Sequence, residues 1–392
     1  MKNVRRQKNI PKDWEIKKLG EISQSVMYGM NSAAGEFDGV NKYIRITDIN
    51  EHTHKFVPSP LVSPIDKVED KYKLRKNDLL FARTGASVGK SYLFDENDGN
   101  IYFAGFLIKF NIFEGNASFI FNQTLLHKYW DWVSSMSVRS GQPGINAEEY
   151  KKLPVMFPPL PEQNRIVAVL ETWDKAIEKL QQKIKVKKEI KKGLMQDLLT
   201  GDKRLKGFSG KWKNIEIREI FSYEQPTEYI VNHTDYRQEY PIPVLTAGKT
   251  FILGYTNESK GIYKNLPVII FDDFTTANKF VDFEFKVKSS AMKILKTKDN
   301  YDIRFMYEKM QMIRLQSGEH KRKYLSEYQY IVVSVPDIKE QKEISKIIEV
   351  SDKEIIALSS KLKYLQDQKK YLLNNLITGQ IRTPENLLEK VK

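Results

Sequence analysis

Apolar residues return at every fourth and third position in two stretches of this chain. In the first, Ile166, Leu170, Trp173, Ile177, Leu180 and Ile184 keep the alternation, and Leu194 and Leu198 come back into register. In the second, Ile344, Ile348, Ile355, Leu358, Leu362, Leu365, Leu372 and Leu376 hold it, with Ser351 and Lys369 as its only polar members. That spacing sets all of these side chains on one stripe of a helix, as in a coiled-coil seam. A lone stripe would suit a helix packed on its own domain. Two long, matching stripes predict two helices that pair with each other. Pro158-Pro159-Leu160-Pro161 followed by Glu162 signals a helix start, and Gly201 and Gly379 signal the stops.

The stretches are copies. Glu162-Gln163, Ile166, Asp174, Ile177, Leu180 and Thr200-Gly201 reappear 178 positions later as Glu340-Gln341, Ile344, Asp352, Ile355, Leu358 and Thr378-Gly379. A weaker match sets Trp14, Leu19 and Glu21-Ile22 against Trp212, Ile217 and Glu219-Ile220. The chain therefore reads block, helix, block, helix: 1–157, 158–201, 202–335 and 336–380, with a tail at 381–392. Duplication predicts a pseudo-two-fold relation. Within the blocks, runs at 42–49, 78–83 and 102–113, and at 268–271, 280–287 and 330–335, predict strands separated by Gly and Asn punctuation. The fold class is α+β, two mixed α/β blocks alternating with the paired helices. Lys183, Lys185, Lys187, Lys188, Lys191 and Lys192 crowd the first helix with Glu189 as the only acid among them, which describes a solvated face. Lys187 and Lys191 nevertheless fall on the seam, so that helix is either weakened there or faces a different partner.

Composition narrows the partners. The 392 residues carry a formal net charge of +14, which points to a polyanion, nucleic acid ahead of an acidic membrane surface. No apolar run approaches the roughly 18 to 20 residues of a membrane span, and Met1 to Lys12 lacks the apolar run of a secretory signal. The absence of cysteine excludes disulfides, thiolate zinc sites and cysteine nucleophiles. A cytoplasmic protein without a membrane partner is the expectation.

Catalytic motifs are weak. Gly85-Ala-Ser-Val-Gly-Lys-Ser91 resembles a phosphate-binding loop but has three residues between its glycines where the Walker pattern has four. It suits a glycine turn between strands that sets Arg83, Thr84 or Lys90 against a ligand. Asp272, Asp273, Glu284 and Lys286 match a D-x11-ExK arrangement by which nucleases hold Mg²⁺. With 29% charged residues such matches arise by chance, and alternating Asp282, Glu284, Lys286 and Lys288 equally describe the wet face of a strand. Phe157-Pro-Pro-Leu160 lacks the polar residue that the Pro-Pro loop of amino-methyltransferases needs ahead of its prolines. His52, His54, His127, His233 and His320 form no ligand pattern and read as surface residues, so no metal site is expected. What remains is DNA-reading chemistry: Arg for guanine edges, Asn and Gln for adenine, Lys, Ser and Thr for phosphates. In block one the candidates are Tyr28, Asn31, Arg45, Arg83, Thr84, Lys90, Arg139, Ser140 and Gln142. In block two they are Thr246, Lys249, Thr275, Thr276, Lys293, Lys321, Arg322 and Lys323.

The order of blocks and helices, the Pro-Pro-Leu-Pro-Glu-Gln run at 158–163, its partner Asp337-Ile-Lys-Glu-Gln341 and the two Leu/Ile-Thr-Gly helix ends resemble the DNA specificity subunit of type I restriction-modification systems. The resemblance covers nearly the whole chain. The Trp14 and Trp212 openings, the segment 77–85 and the Ser140-Gly-Gln142 loop are similar to family patterns. The resemblance implies two target-recognition domains, each reading half of a split, asymmetric site in double-stranded DNA, and helices that pair antiparallel as a spacer. It implies a chain without catalysis or a bound cofactor of its own: S-adenosylmethionine, ATP and Mg²⁺ belong to two methyltransferase subunits and two ATP-driven restriction subunits. Block two departs from block one, with Asn265-Leu-Pro-Val-Ile-Ile-Phe271 where block one has its Asp78 strand, so its loops do not carry across. The alternatives are a stand-alone Mg²⁺-dependent nuclease built on Asp272, Glu284 and Lys286, and a coiled-coil scaffold whose charge is incidental.

Overall fold

One strand in each block is buried from end to end, and the rest of the block is laid on its two faces. The computed structural model describes residues 10–139, 141–246, 250–313 and 322–387. Asp78–Ala82 sends Leu79 and Phe81 into one apolar cluster and Leu80 and Ala82 into another. Val268–Asp272 does the same with Ile269 and Phe271 on one side and Val268 and Ile270 on the other. Side chains alternate across a strand, so a strand covered on both faces needs an unbroken apolar run. Two antiparallel sheets grow around these strands in matching order. The first runs Ser23–Tyr28, Leu107–Ile112, Asp78–Ala82, Ser91–Leu93; the second runs Phe221–Glu224, Met292–Thr297, Val268–Asp272, Asn278–Val281. A short antiparallel pair closes each block, Glu15–Lys18 with Pro154–Phe157 and Lys213–Glu216 with Val332–Val335.

Several expected strands are shorter than their apolar runs, the 330–335 run among them, where Tyr328–Tyr330 closes a turn and leaves a strand only over Val332–Val335. The 42–49 run is a strand only over Lys42–Ile44, because Arg45 donates from its backbone N and its Nε to Asp48 Oδ2, at 2.8 and 2.9 Å, and closes a turn. The 102–113 run splits into Ile101–Phe103 and Leu107–Ile112, with Gly105 N turned to Met30 O at 2.8 Å. The 280–287 run is broken between Asn278–Val281 and Lys286–Val287, where Phe285 bridges to Tyr263 instead.

The long helices are Leu160–Thr200 and Ile338–Ile377, of 41 and 40 residues. Each runs out into a glycine with positive φ, Gly201 at 83° and Gly379 at 73°, the left-handed cap that glycine adopts without steric cost. Packing divides the chain into two units. One comprises the residues up to Lys179 and those from Leu362 onward; the other is Leu180–Lys361. In the first, Ile166 and Leu170 join Leu373, Leu376 and Ile377 in the block's core. In the second, Ile344 and Ile348 join Leu198 and Leu199. Of the other seam residues, Leu180 and Ile184 are buried, and Trp173, Ile177, Ile355, Leu358, Leu362 and Leu365 are half-buried. Lys187 pairs with Glu354 at 2.8 Å and Lys191 with Asp352 at 2.6 Å. The partner number falls as the first rises, so the helices run antiparallel. The lysines on the seam are thus answered by acids on the other helix. The first unit repeats this contact with Asp174 and Lys369, the residues matched to Asp352 and Lys191.

The repeated Glu-Gln pair fastens each block to the start of its own helix. Gln163 accepts from Asn116 N and donates to Pro158 O; Gln341 accepts from Asp302 N and donates to Pro336 O, all at 2.8–2.9 Å. Asn116 and Asp302 are themselves N-caps of short block helices, accepting from Phe119 N and Phe305 N. Glu162 accepts from Trp14 Nε1 and Arg382; Glu340 takes Arg204 on both carboxylate oxygens. Tail and linker play the same part, and Arg382 also reaches Asp13.

His54, expected at the surface, is buried instead, with Nδ1 donating to Ser91 O at 2.9 Å and Phe121 packed edge-on. Burial, more than the neighbouring Lys90 charge, lowers its pKa below the ordinary 6.5. The unfolded chain therefore takes up a proton near pH 6.5 that the folded chain refuses, and stability falls as pH drops through that value. Thermal melts at pH 7.5 and 5.5 are expected to show a loss that is reduced in His54→Asn, a residue that tolerates the positive φ of 54° at this position. Equal losses in both proteins would refute this.

Candidate nucleic-acid interface

Three block-one loops meet at the end of the central strand. Arg83 follows Asp78–Ala82; its N donates to Phe106 O at 3.1 Å and its carbonyl accepts from Ile145 N at 2.9 Å. Thr84 bridges to Gly144, and Gly85 N donates to Pro143 O at 2.9 Å. Tyr28 Oη accepts from Ala147 N at 3.1 Å, which ties the first strand to the same corner. Gly85 has a φ of +73°, the left-handed conformation that favours glycine, and a Cβ there would stand 2.9 Å from the mobile amide end of Gln142. Tyr28, Arg83, Thr84 and Gln142 are thereby brought together.

Arg83 is the distinctive group. Its guanidinium lies 4.9 Å from the centroid of Tyr28 and 6.0 Å from that of Phe106, rings that remain 40% and 60% exposed. Its Nε is buried without a hydrogen-bond partner among the described residues. Among the described residues the other block-one arginines are neutralised: Arg45 by Asp48, Arg75 by Asp70 and Arg139 by both oxygens of Glu149. A guanidinium held by aromatic rings keeps its planar fork of donors available for a guanine edge or a phosphate. Phe106 escaped sequence reading because it sits inside an apolar run; Gly105 beside it was the signal of a turn.

The remaining block-one candidates differ in how far their side chains are free. Lys90 is buried, with Nζ 3.6 Å from Glu51, and Asn31 is exposed. Ser140, Lys249 and Lys321 lie outside the described residues.

In block two the residue directly after the central strand is Asp273, opposite in charge to Arg83. It is buried, lies 3.4 Å from Lys293 Nζ, and accepts from Lys323 N at its carbonyl and from Tyr324 N at its carboxylate. Lys293, 1% exposed, is thus committed to the interior beside the Tyr223 ring. Asp272 Oδ1 caps the adjoining turn by accepting from Phe274 N and Thr275 N at 2.8 and 3.1 Å, and Thr276 completes it with φ of 60°. Thr275 and Arg322 are exposed, Thr276 is half-buried and Lys323 is buried. Thr246 Oγ1 donates to Thr250 O at 2.6 Å in a separate turn.

The four residues of the nuclease pattern have other duties. Asp272 and Asp273 shape the loop just described, Glu284 pairs with Lys264, and buried Lys286 pairs with Glu258 at 3.0 Å. Burial would raise the Glu258 pKa, but Lys286 and the backbone amides of His233 and Asn232 outweigh it and hold the group lowered. Among the described residues no three carboxylate or imidazole groups converge on a metal-sized site, and no helix is long and apolar enough to cross a membrane.

The sequence model of the family described as "Type I restriction modification DNA specificity domain" matches residues 11–188 and again 209–365. The chain belongs to this family. Each matched segment takes in one block and most of the helix that follows it, so the duplication seen in the sequence is a duplication of the specificity domain. The chain is 43% identical over 197 residues to the EcoR124I/EcoR124II specificity subunit of Escherichia coli, a match covering 47% of this chain and 48% of that subunit. It is 24% identical to the putative MjaX specificity subunit of Methanocaldococcus jannaschii over 95% of each chain. The fold is shared with the type I S subunit of M. genitalium, at a TM-score of 0.63 and 16% identity over 95% of this chain and 98% of the other. These relatives are specificity subunits and not catalytic ones, and the chain is a specificity subunit of the same kind.

Proposed function

We propose that this specificity subunit reads a split, asymmetric site in duplex DNA, one half-site by each block, and brings two methyltransferase and two restriction subunits to it. The observation that carries this reading is the Arg83 corner, a guanidinium without a carboxylate partner among the described residues, beside exposed Tyr28 and Phe106. Asp273 at the corresponding place means that the two blocks offer different chemistry, and different readers suit an asymmetric site. S-adenosylmethionine, ATP and Mg²⁺ serve the partner subunits. A map of methylated adenines in cells with and without this chain tests the proposal: a split motif that disappears with the chain is expected, and an unchanged map overturns it.

The helix pair acts in this reading as the spacer between half-sites. Deleting about one turn from both copies, starting at Glu178 and Ile356, removes roughly 5 Å of helix, equivalent to one or two base-pair steps of about 3.4 Å. The mapped motif is expected to keep both half-sites and change its spacer. Altered half-sites with the old spacer would refute the role.

A further inference from the structure

The lysine run of the first helix is not one uniform face. Lys187 and Lys191 are spent on Glu354 and Asp352. Lys185, Lys188 and Lys192 are exposed and have no carboxylate partner among the described residues. Their spacing of three and four places them on one flank of the helix, beside Gln181, Ile184 and Glu189. The opposite flank of the same helix presents Val186 and Ile190, each about half exposed, together with exposed Lys183. One flank therefore carries three lysines against one acid, and the other mixes a lysine with two apolar side chains.

We infer that Lys185, Lys188 and Lys192 track the phosphate backbone of the DNA between the two half-sites. This rests on the half-site reading above and extends it to DNA that no block reads. Such DNA varies in sequence, so contacts to it must ignore the bases, and Lys–phosphate pairs do. Lysine suits this better than arginine, because a flexible point charge follows a backbone without the bidentate fork that selects guanine. Seven residues of helix rise about 10 Å, which matches about three phosphates of one strand at 3.4 Å each along the axis. Three exposed lysines against the single acid Glu189 make this flank suited to a polyanion.

The test uses the full chain assembled with its methyltransferase subunits and a duplex carrying the mapped site, with binding measured by fluorescence anisotropy across a salt series. The triple variant K185Q/K188Q/K192Q is expected to bind about tenfold more weakly and to lower the slope of log affinity against log salt by about two to three, with the mapped motif unchanged. All three side chains are exposed, so melting should not move. Neutral methylphosphonates placed only in the spacer should weaken the parent protein by a similar factor and leave the triple variant unaffected. An unchanged slope, or equal sensitivity of both proteins to the neutral spacer, overturns the inference, as does loss of methyltransferase assembly with the slope intact. If the parent protein binds without regard to the mapped site, the half-site reading itself falls, and this inference with it.

Discussion

Replacing Arg83 with lysine is expected to remove base preference at one position of one half-site and to weaken binding to the full site by roughly 1–3 kcal/mol, about five- to 150-fold. The charge is conserved, so a pure phosphate contact would survive the change nearly intact. What is lost is the planar fork and its seat between Tyr28 and Phe106, 4.9 and 6.0 Å from the guanidinium. The second half-site should be untouched, because the position after its central strand is Asp273. Competition binding against duplexes mutated one base pair at a time reads this directly. An unchanged profile at every position would show that Arg83 does not read a base. Phe106→Ala should lie on the same side but weaker, since Tyr28 still supports the guanidinium.

The second large effect is on stability. Removing the Glu340 carboxylate in Glu340→Ala leaves Arg204 without its carboxylate, beside the Trp212 ring at 5.7 Å. Glu340 is fully buried and Arg204 about a quarter exposed, so part of the stranded charge is relieved by water. The cost is expected to be smaller than that of breaking a fully buried ion pair, because Arg204 keeps water and the charge of Asp337 beside it. The melting transition of the second unit should fall by several degrees. Scanning calorimetry of the single variants and of Glu340→Ala combined with Arg204→Ala supplies a double-mutant cycle. Costs that simply add would mean that the two residues do not act together. The same logic applies to Glu162, where Asp13 keeps Arg382 partly paired, and the loss should be smaller.

These two predictions differ in how far they could be read from the chain. Glu162-Gln163 and Glu340-Gln341 stood out as repeats, yet nothing in their spacing said that the glutamates would receive Arg382 and Arg204 or that the glutamines would hold the N-caps at Asn116 and Asp302. Arg83 was one basic candidate among several. Arg45 and Arg139 were equally eligible, and the carboxylates of Asp48 and Glu149 neutralise them. Lys293 looked like a phosphate contact and is an interior partner of Asp273.

The division follows from the range of the forces involved. Helical periodicity and strand alternation repeat every few residues, so the two long helices, their glycine stops, the buried central strands and the duplication were present in the sequence by itself. The ends of the shorter strands were not, because the turn at Asp48 and the break at Gly105 answer to hydrogen bonds rather than to hydrophobicity. Which charges are free was decided only by the tertiary structure. An ion pair such as Lys191 with Asp352, or a cation seated between rings like Arg83, joins positions that the chain separates widely, and the antiparallel register that brings Asp352 and Glu354 opposite the seam lysines exists only once the helices have paired.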